Sequence, residues 1–201
     1  MITFFCCEDS LNAYSVHLMM SILGVNFRQR PFSEAPQHEQ RYASWAANGL
    51  GNMPIMHDGT LKLFQTSAML IYLSRAYASE LWMPSTPPAL ARVNQWLNIA
   101  RGDWLPNANH HSTVQQKWQH LDIGLSLIEQ QLELASWLIG HRPTIADIAC
   151  YPLLTATGIE DAIFKDYPHI LKWVNRMQTL PNFISPPKSK THNTQTNTHF
   201  L

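Results

Sequence analysis

The chain has 201 residues, of which 45% are hydrophobic and 14% are charged, so it holds enough apolar mass for a folded core. Fourteen Lys and Arg residues balance fourteen Asp and Glu residues, which excludes the broad basic surface of a protein that binds nucleic acid or anionic membranes. The longest strongly apolar run, residues 68–73, is far shorter than the roughly 20 residues that span a bilayer. Because the N-terminus also lacks the basic start of a signal peptide, we expect a soluble, cytoplasmic protein.

The first half of the chain alternates strand and helix patterns. Short runs rich in β-branched and aromatic residues indicate strands, and longer amphipathic runs indicate helices. The predicted strands cover residues 2–5, 25–30, 53–56 and 61–64, and the predicted helices cover residues 10–23, 35–47 and 66–77. Gly24 is typical of a helix stop, and Asp58-Gly59 between two apolar runs is typical of a β-hairpin. The predicted order is β-α-β-α-β-β-α.

The second half contains no convincing strand pattern. Residues 79–88 hold three prolines in ten positions, which is typical of a linker. Predicted helices then cover residues 89–100 and 114–134, a segment that starts near residue 144, and residues 168–179. The last residues are mainly polar and cannot bury enough surface to offset the entropy of ordering them. We therefore predict an α/β domain over residues 1–78, a linker over 79–88, an all-helical domain over 89–184 and a disordered tail over 185–201.

The cysteines and histidines do not form a recognisable metal or disulfide pattern. Three cysteines are an odd number, and two of them, Cys6 and Cys7, are adjacent, so neither a disulfide framework nor a zinc site is predicted. Ten histidines are scattered, with His110 and His111 as the adjacent pair. Cys6 and Cys7 close the first strand, and Cys150 lies in an apolar helix, so all three are expected to be packed, unreactive thiols. We predict no metal.

A glycine-rich turn over residues 48–54 delivers Pro54 to the head of the third strand. A cis bond between Met53 and Pro54 would turn the Met53 backbone N–H and C=O outward, where they could pair with an extended peptide. The alternative is an ordinary trans proline in a loop, which is far commoner among X-Pro bonds. The residues alone leave both open.

Two predicted helix starts carry polar side chains. Gln65 and Thr66 join the hairpin to a helix, whose unpaired N–H groups and positive dipole end favour a bound carboxylate. The alternative is that Thr66 simply caps the helix. Ser10 and Asn12 follow the first strand at a second helix start, where a hydroxyl or amide could stabilise a bound thiolate. Here the alternative is that Ser10 or Asp9 serves only as the N-cap.

Thr144 and Asp147 lie three residues apart before an apolar run. This spacing is typical of a capping box with Asp in place of Glu or Gln. We expect the pair to fix the start of a helix and to take no part in chemistry.

Together these segments resemble the cytosolic glutathione S-transferases. The resemblance extends from about residue 2 to residue 183, and its motifs are residues 48–54, 64–73, 95–97, 137–140, 144–147 and 180–183. The Ser10-x-Asn12-x-Tyr14-x-Val16 pattern looks most like bacterial members of the serine or asparagine type. The resemblance implies an α/β thioredoxin-like N-terminal domain followed by an all-α C-terminal bundle, and glutathione as the co-substrate.

The resemblance also implies how glutathione is held. The Met53 backbone would pair antiparallel with the cysteinyl backbone of glutathione, with Pro54 cis. Gln65 and Thr66 would hold the γ-glutamyl carboxylate. Ser10 would donate to the thiolate, lower its pKa and so raise the concentration of the nucleophile. Asn12 is the alternative donor.

Further expectations concern the electrophile, the partner and the glycyl end of glutathione. A small apolar electrophile would lie between the domains against Tyr14 and Trp104, and the protein would be a homodimer. Asn52, a predicted glutathione contact, stands where the family usually has a basic residue, which weakens capture of the glycyl carboxylate and leaves His38 or Arg41 as possible substitutes.

Other departures leave three functions open. Gly49 stands where the family usually has proline, and His17 where arginine is common. The first function is conjugation of glutathione to an electrophile, and the second is glutathione-dependent reduction of peroxides or disulfides on the same fold. The third is a non-catalytic, transferase-like binding protein.

Overall fold

The computed structural model describes residues 1–46, 54–78, 82–101, 114–155 and 165–187. Residues 47–53, 79–81, 102–113, 156–164 and 188–201 lie outside the described residues. Most of the tail is among the latter, so its predicted disorder stays a prediction.

The first half of the chain folds in the predicted order. Its strands are β1 (Ile2–Cys6), β2 (Phe27–Pro31), β3 (Ile55–Asp58) and β4 (Leu61–Phe64), and its α-helices are α1 (Leu11–Ile22), α2 (Gln37–Ala46) and α3 (Thr66–Ala76). Gly24 follows α1 with φ 64°, and Gly59 lies in the hairpin turn with φ 58°. Both glycines have the left-handed backbone that favours this residue, so the predicted helix stop and hairpin are confirmed.

The strands form one mixed sheet in the order β2-β1-β3-β4. β1 runs parallel to β2, with Phe4 opposite Gln29, and antiparallel to β3, with Phe4 opposite Met56. β3 and β4 are antiparallel. A parallel pair needs a crossover connection, and α1 supplies it. The predicted α/β thioredoxin-like domain is confirmed.

The two faces of the sheet pack against different helices. Phe4 and Met56 are fully buried in a large core that includes residues of α1 and α3. Phe5 and Ile55 face the other way and pack in a smaller cluster with Ala43 of α2. This follows from the period of two along a strand, which sends alternate side chains to opposite faces.

Three local boundaries differ from the predictions. β2 begins at Phe27, because the Val25 N–H donates to the Met20 carbonyl at 2.9 Å and belongs to the end of α1. A 3₁₀ helix at Phe32–Glu34, which the sequence did not predict, connects β2 to α2. The first helix of the second half begins at Pro87, inside the predicted linker. Proline is tolerated in a first helical turn because its missing N–H has no partner there.

The described part of the second half is helical, as predicted. Its helices are α4 (Pro87–Arg101), α5 (Val114–Leu134), α6 (Ile145–Thr155) and α7 (Pro168–Gln178). α6 packs against α4 and also against α1 and α3 of the first half. One continuous hydrophobic core therefore joins the two halves.

The start of α6 is fixed by a saturated polar network. The fully buried Asp147 accepts hydrogen bonds from the backbone N–H groups of Thr144 at 2.8 Å and Leu138 at 3.0 Å. Trp173 of α7 donates its indole N–H to the same carboxyl at 2.9 Å. Burial raises the pKa of Asp147 above its ordinary value, although these hydrogen bonds act in the opposite direction. The carboxylate of Asp147 thus reaches back to the Thr144 N–H as predicted, whereas the Thr144 hydroxyl accepts from the Ala146 N–H at 3.3 Å and not from the N–H of Asp147.

The chain after α7 returns to the first half. The Ser21 hydroxyl donates to the Asn182 carbonyl and the Tyr14 hydroxyl donates to the Ile184 carbonyl, both at 2.7 Å. This segment therefore ties α1 to the helical domain.

Candidate functional site

The starts of α1 and α3, which are far apart in sequence, lie side by side. The Thr66 hydroxyl of α3 donates to the Asn12 carbonyl of α1 at 3.5 Å. Each helix start presents backbone N–H groups that have no partner within the helix and the positive end of a dipole. The fold therefore brings together the two polar helix starts that the sequence predicted separately.

The start of α3 has an unusual backbone. Gln65 precedes the helix with φ 84° and ψ 116°, and it makes no side-chain capping hydrogen bond to the helix. A non-glycine residue in such a conformation costs on the order of 1–3 kcal/mol and is most often found at functional sites. Thr66 is the first residue of α3 and is buried, so the alternative that Thr66 serves as its N-cap is wrong. The side chain of the N-cap residue therefore does not bond to the N–H groups at the start of α3.

The start of α1, in contrast, carries a side-chain cap. The Ser10 N–H donates to the Cys7 carbonyl at 3.1 Å, which turns the chain from β1 into α1. The Ser10 hydroxyl oxygen accepts from the Ala13 N–H at 3.3 Å. A hydroxyl that accepts a hydrogen bond keeps its own proton for donation. Ser10 can therefore cap α1 and donate to a thiolate at the same time.

Asn12 lines a narrow cleft between the two halves. The cleft has a volume of about 20 Å³ and is lined by Leu11, Asn12, Ser15, Thr66, Ser67, Leu97, Ala100, Ala149, Pro152 and Leu153. The side chains from α1 and α3 are mainly polar, whereas those from α4 and α6 are apolar. This arrangement suits an apolar group that approaches a polar reaction centre.

Tyr14 is buried in the contact between the halves, with 5% of its surface exposed. Its ring centroid lies 6.5 Å from that of Tyr151, and burial raises the pKa of its hydroxyl. The cleft is lined from α1 by Leu11, Asn12 and Ser15. The placement of Tyr14 in an electrophile pocket stays a prediction, and Trp104 lies outside the described residues.

The turn before β3 is described only from Pro54 onward. Pro54 is buried and directly precedes β3. Asn52, Met53 and the peptide bond between Met53 and Pro54 lie outside the described residues. The predicted cis bond and the backbone pairing by Met53 therefore stay predictions.

Helix α2 carries His38, whose side chain is 59% exposed, and beside it a buried carboxylate that sequence reasoning missed. Glu39 is 8% exposed. Its carboxylate lies 2.5 Å from His57 Nε2 of β3 and accepts from Lys62 Nζ of β4 at 2.7 Å. Burial acts to raise the pKa of Glu39, but the hydrogen bonds from Lys62 and His57 outweigh it and hold the pKa below its ordinary value. The one available signal was the hairpin register, which pairs His57 with Lys62.

Cys6 and Cys150 are buried as packed thiols, whereas Cys7 is only partly buried. Burial, with smaller effects of Cys7 and Glu8, raises the pKa of the Cys6 thiol to about 11. Cys150 is buried with its Sγ 3.8 Å from the Trp96 carbonyl oxygen, and burial raises its pKa as well. A raised pKa lowers the thiolate fraction near neutral pH, which agrees with the prediction of unreactive thiols at these two positions.

A larger cavity, of about 800 Å³, opens at the carboxyl ends of β1 and β2. It is lined by Cys6, Cys7, Glu8, Gln29, Arg30, Pro31, Phe32, Ser33 and Gln40. The predicted glutathione contacts are not among these residues. We therefore place the candidate site at the two helix starts, where the predicted side chains meet, rather than in the larger volume.

Two further features concern metals and membranes. In the described residues, no three His, Cys, Asp or Glu side chains come together as metal ligands. The described helices are each too short or too polar to cross a bilayer.

Comparison with known families assigns the chain. Residues 2–75 match the family model for the N-terminal domain of glutathione S-transferase, and residues 82–181 match the model for its C-terminal domain. The chain belongs to the glutathione S-transferase family. The predicted family is confirmed, whereas membership of the bacterial serine or asparagine type stays a prediction.

The chain is also similar over part of its length to individual curated proteins. The chain is 28% identical over 64% of its length to glutathione S-transferase theta-1 of Gallus gallus, and 29% identical over 67% to elongation factor 1-gamma of Danio rerio. It spans 57% and 34% of the lengths of these two proteins. The solved epsilon-class glutathione S-transferase of the housefly, Musca domestica, superposes with a TM-score of 0.76 at 16% identity, over 90% of this chain and 89% of the other. At that identity the match shows the fold.

Proposed function

We propose that the protein conjugates glutathione, through its thiolate sulfur, to small apolar electrophiles. The observation that carries the proposal is the start of α3, where Gln65 holds φ 84° and its side chain makes no capping hydrogen bond, next to the Ser10 start of α1. Strained residues cluster at ligand sites, and the N–H groups and positive dipole end of a helix start favour a bound anion.

The start of α3 would hold the γ-glutamyl carboxylate. A carboxylate at a helix N-terminus receives backbone N–H groups and favourable dipole energy, typically 0.3–1 kcal/mol from the dipole alone. Gln65 adds an amide donor and Thr66 lies at the first position of the helix. Hydrogen bonds to a charged group contribute roughly 1.5–3 kcal/mol each, which makes this end the main anchor.

The start of α1 would stabilise the thiolate. The Ser10 hydroxyl would donate a hydrogen bond to the thiolate sulfur, and the helix dipole adds positive potential, which together lower the thiol pKa. Each pKa unit corresponds to about 1.4 kcal/mol. The thiolate then attacks the electrophilic carbon, the carbon–sulfur bond forms, and the leaving group departs with the electron pair of its bond. Asn12 remains the alternative donor.

The electrophile would enter between the domains, where the cleft is polar toward α1 and α3 and apolar toward α4 and α6. Leu97 and Leu153 supply apolar surface there, with Tyr14 behind the cleft in the core and Trp104 as a predicted further contact. Its present volume of about 20 Å³ is enough for about one water molecule but not for a substrate. Binding of an electrophile therefore requires the cleft to widen.

The remaining contacts complete the co-substrate site. His38 and Asn52 would face the glycyl carboxylate, and the Met53 backbone before Pro54 would pair with the cysteinyl residue. We also expect a cytoplasmic homodimer that uses glutathione without a metal.

A second candidate function is non-catalytic binding of a partner. It is favoured by the match to elongation factor 1-gamma and by Gly49, Asn52 and His17, which depart from the usual family pattern. Glutathione-dependent reduction of peroxides or disulfides is the catalytic alternative. It would use the same donors, and it would be recognised by greater activity toward a hydroperoxide or a glutathionylated disulfide than toward an aryl halide.

The test is calorimetric titration of glutathione into the wild type, Ser10→Ala and Asn12→Ala, with thiolate absorbance near 240 nm followed in parallel. We expect the wild type to bind and to form thiolate near neutral pH, and Ser10→Ala to bind but to lose the thiolate. Loss of thiolate in Asn12→Ala instead would move the role to Asn12. Failure of the wild type to bind glutathione would contradict both enzymatic functions and favour the non-catalytic one.

A further inference from the structure

Tyr14, in the first turn of α1, is a buried residue whose hydroxyl bonds outside its own helix. The residue is 5% exposed, and its hydroxyl donates to the Ile184 carbonyl at 2.7 Å. Burial raises the pKa of this hydroxyl, so it keeps its proton and remains a donor. A phenylalanine would fill the same space with no polar group to satisfy, so packing alone does not require the hydroxyl.

The same residue is bonded to Ser10 through its backbone. The Tyr14 N–H donates to the Ser10 carbonyl at 2.8 Å, which is a helical hydrogen bond between residues i and i−4. Tyr14 therefore connects the Ser10 start of α1 with Ile184, in the segment that follows α7.

Residues 180–184, which we call the C-terminal strap, contact both α6 and α1. The Phe183 ring packs edge-on against Tyr151 of α6, with the ring centroids 5.6 Å apart. The Tyr151 ring in turn lies 6.5 Å from that of Tyr14. Because the Ile184 carbonyl accepts from the Tyr14 hydroxyl, the strap couples the first turn of α1 to the helical domain.

Packing fixes the later turns of α1 more firmly than its first turn. Leu11 and Asn12, in the first turn, are only half-buried. The fully buried side chains of α1 come after that turn and are those of Val16, Leu18, Met19 and Met20. Hydrogen bonds therefore matter more for the position of the first turn.

The hydrogen bond of the Tyr14 hydroxyl is shorter than two others in that turn. The Ala13 N–H reaches the Ser10 hydroxyl at 3.3 Å, and the Thr66 hydroxyl reaches the Asn12 carbonyl at 3.5 Å. Both exceed the usual range for hydrogen bonds of their kind, whereas 2.7 Å is the commonest length for a bond from a hydroxyl to an oxygen. The local cap thus leaves the Ser10 hydroxyl dependent on where the first turn lies.

We propose that Tyr14 is a positioning residue for Ser10. Its hydroxyl, bonded to the C-terminal strap, fixes the first turn of α1 and thereby the distance from the Ser10 hydroxyl to the thiolate of bound glutathione. A hydrogen bond weakens steeply as its geometry departs from the optimum, so a small displacement of this turn reduces the stabilisation of the thiolate. This inference rests on the proposed function, because it assigns Tyr14 to the same thiolate.

The test compares the wild type with Tyr14→Phe, which removes the hydroxyl and keeps the ring. Titration with pH of the absorbance near 240 nm, with glutathione bound, measures the thiol pKa. Tyr14→Phe should raise it by about half a unit, which corresponds to about threefold less thiolate relative to thiol at a fixed pH. S-methylglutathione keeps both ends of glutathione but has no thiol to ionise, so its dissociation constant in calorimetry should change by less than about twofold.

Ser21 supplies a matched control at the other end of α1. Its hydroxyl also donates to the C-terminal strap, at the Asn182 carbonyl and also at 2.7 Å. Ser21→Ala removes this bond far from Ser10 and should leave the thiol pKa of bound glutathione unchanged.

A double variant tests whether Tyr14 acts through Ser10. In a protein that already carries Ser10→Ala, Tyr14→Phe should raise the thiol pKa no further, because the hydroxyl that it positions is absent. General loosening of the fold would raise the pKa again. Should Tyr14→Phe not fold, Phe183→Leu loosens the strap from the side of α6 and should raise the thiol pKa in the same direction.

The outcomes separate this inference from the function beneath it. An unchanged thiol pKa in Tyr14→Phe, an equal rise in Ser21→Ala or a further rise in the Ser10→Ala protein would overturn the positioning role and leave the proposed function standing. A thiol pKa that Ser10→Ala leaves unchanged would overturn it as well, since the donor would then be Asn12. If the wild type bound neither glutathione nor S-methylglutathione, the proposed function would fall and this inference with it.

Discussion

The N-termini of α6 and α3 differ in side-chain capping: the start of α6 has capping hydrogen bonds, whereas the N-cap residue of α3 makes none. At α6, Asp147 and Thr144 provide side-chain acceptors for the N–H groups, and Trp173 completes the network from α7. At α3, Gln65 has a strained backbone and makes no capping hydrogen bond. The first arrangement satisfies the helix internally and stabilises the fold. The second lacks a cap from its N-cap side chain and contains a strained residue, which costs on the order of 1–3 kcal/mol of stability.

The largest effect on stability is expected from a substitution of Asp147 at the N-terminus of α6. Asp147→Ala would leave the donors of Leu138, Thr144 and Trp173 buried without acceptors, which should lower the free energy of unfolding by about 3–5 kcal/mol. Urea unfolding followed by far-UV circular dichroism measures this loss. Glu34→Ala, at an exposed carboxylate, serves as the control. A loss below about 1 kcal/mol for Asp147→Ala would show that the network does not hold α6.

At the N-terminus of α3, a substitution of Gln65 should stabilise the fold and weaken the binding of glutathione. Gln65→Gly removes the backbone strain at φ 84°, which should raise the free energy of unfolding by about 1 kcal/mol. Glutathione binding should weaken by about tenfold because the amide is lost. Urea unfolding and calorimetry provide the two values.

The matched control for Gln65 is Asn182, the other described non-glycine residue with positive φ, at 53°. Asparagine tolerates this region, so Asn182→Gly should change stability little and glutathione binding not at all. Equal changes in stability and in glutathione binding for the two substitutions would mean that the conformation of Gln65 is unrelated to glutathione binding.

Ser10 combines a structural and a proposed functional role, because its hydroxyl caps α1 and can also donate a hydrogen bond to the glutathione thiolate. Ser10→Ala should lower the free energy of unfolding by about 1 kcal/mol through loss of the cap, and should raise the thiol pKa of bound glutathione. Ser10→Thr keeps both abilities and should restore both values. Loss of stability without any change in the thiol pKa would reduce Ser10 to a cap.

The smallest effect concerns acid stability at Glu39. Its pKa is lower in the folded chain than its ordinary value, so the stability it contributes is present above the unfolded pKa and is lost as the pH falls through the folded pKa. Glu39→Gln should cost about 0.5–1 kcal/mol at pH 7, since Lys62 is half exposed. The difference from the wild type should shrink below about pH 4.3, the ordinary pKa of Glu. Thermal unfolding at a series of pH values would show a constant difference if the ion pairs contributed nothing.

The sequence was sufficient where local chemistry decides the structure. Gly24 and Gly59 require the left-handed backbone, so the end of α1 and the hairpin followed from two residues. The capping box of Thr144 and Asp147 likewise predicted the start of α6. The start of β2 was predicted two residues too early, because the Val25 N–H donates a hydrogen bond to the Met20 carbonyl of α1. The alternation of apolar and polar residues does not reveal that hydrogen bond.

The site was predictable in its parts but not in its assembly. Ser10 and Gln65 each follow a predicted strand and precede a predicted helix, which identified both helix starts. The strained backbone of Gln65 and the absence of a capping hydrogen bond from its side chain depend on the tertiary fold, which the sequence pattern does not reveal. The cluster of Glu39, His57 and Lys62 joins residues on three elements, and no local pattern places them together.

We propose above all that the N-terminus of α3 anchors glutathione through its γ-glutamyl carboxylate. Calorimetric titration of glutathione and of cysteinylglycine, which lacks the γ-glutamyl group, into the wild-type protein tests it most directly. The expected result is that glutathione binds and that cysteinylglycine binds about a hundredfold more weakly, as the loss of hydrogen bonds to one charged group implies. Equal affinity for the two ligands would contradict the claim.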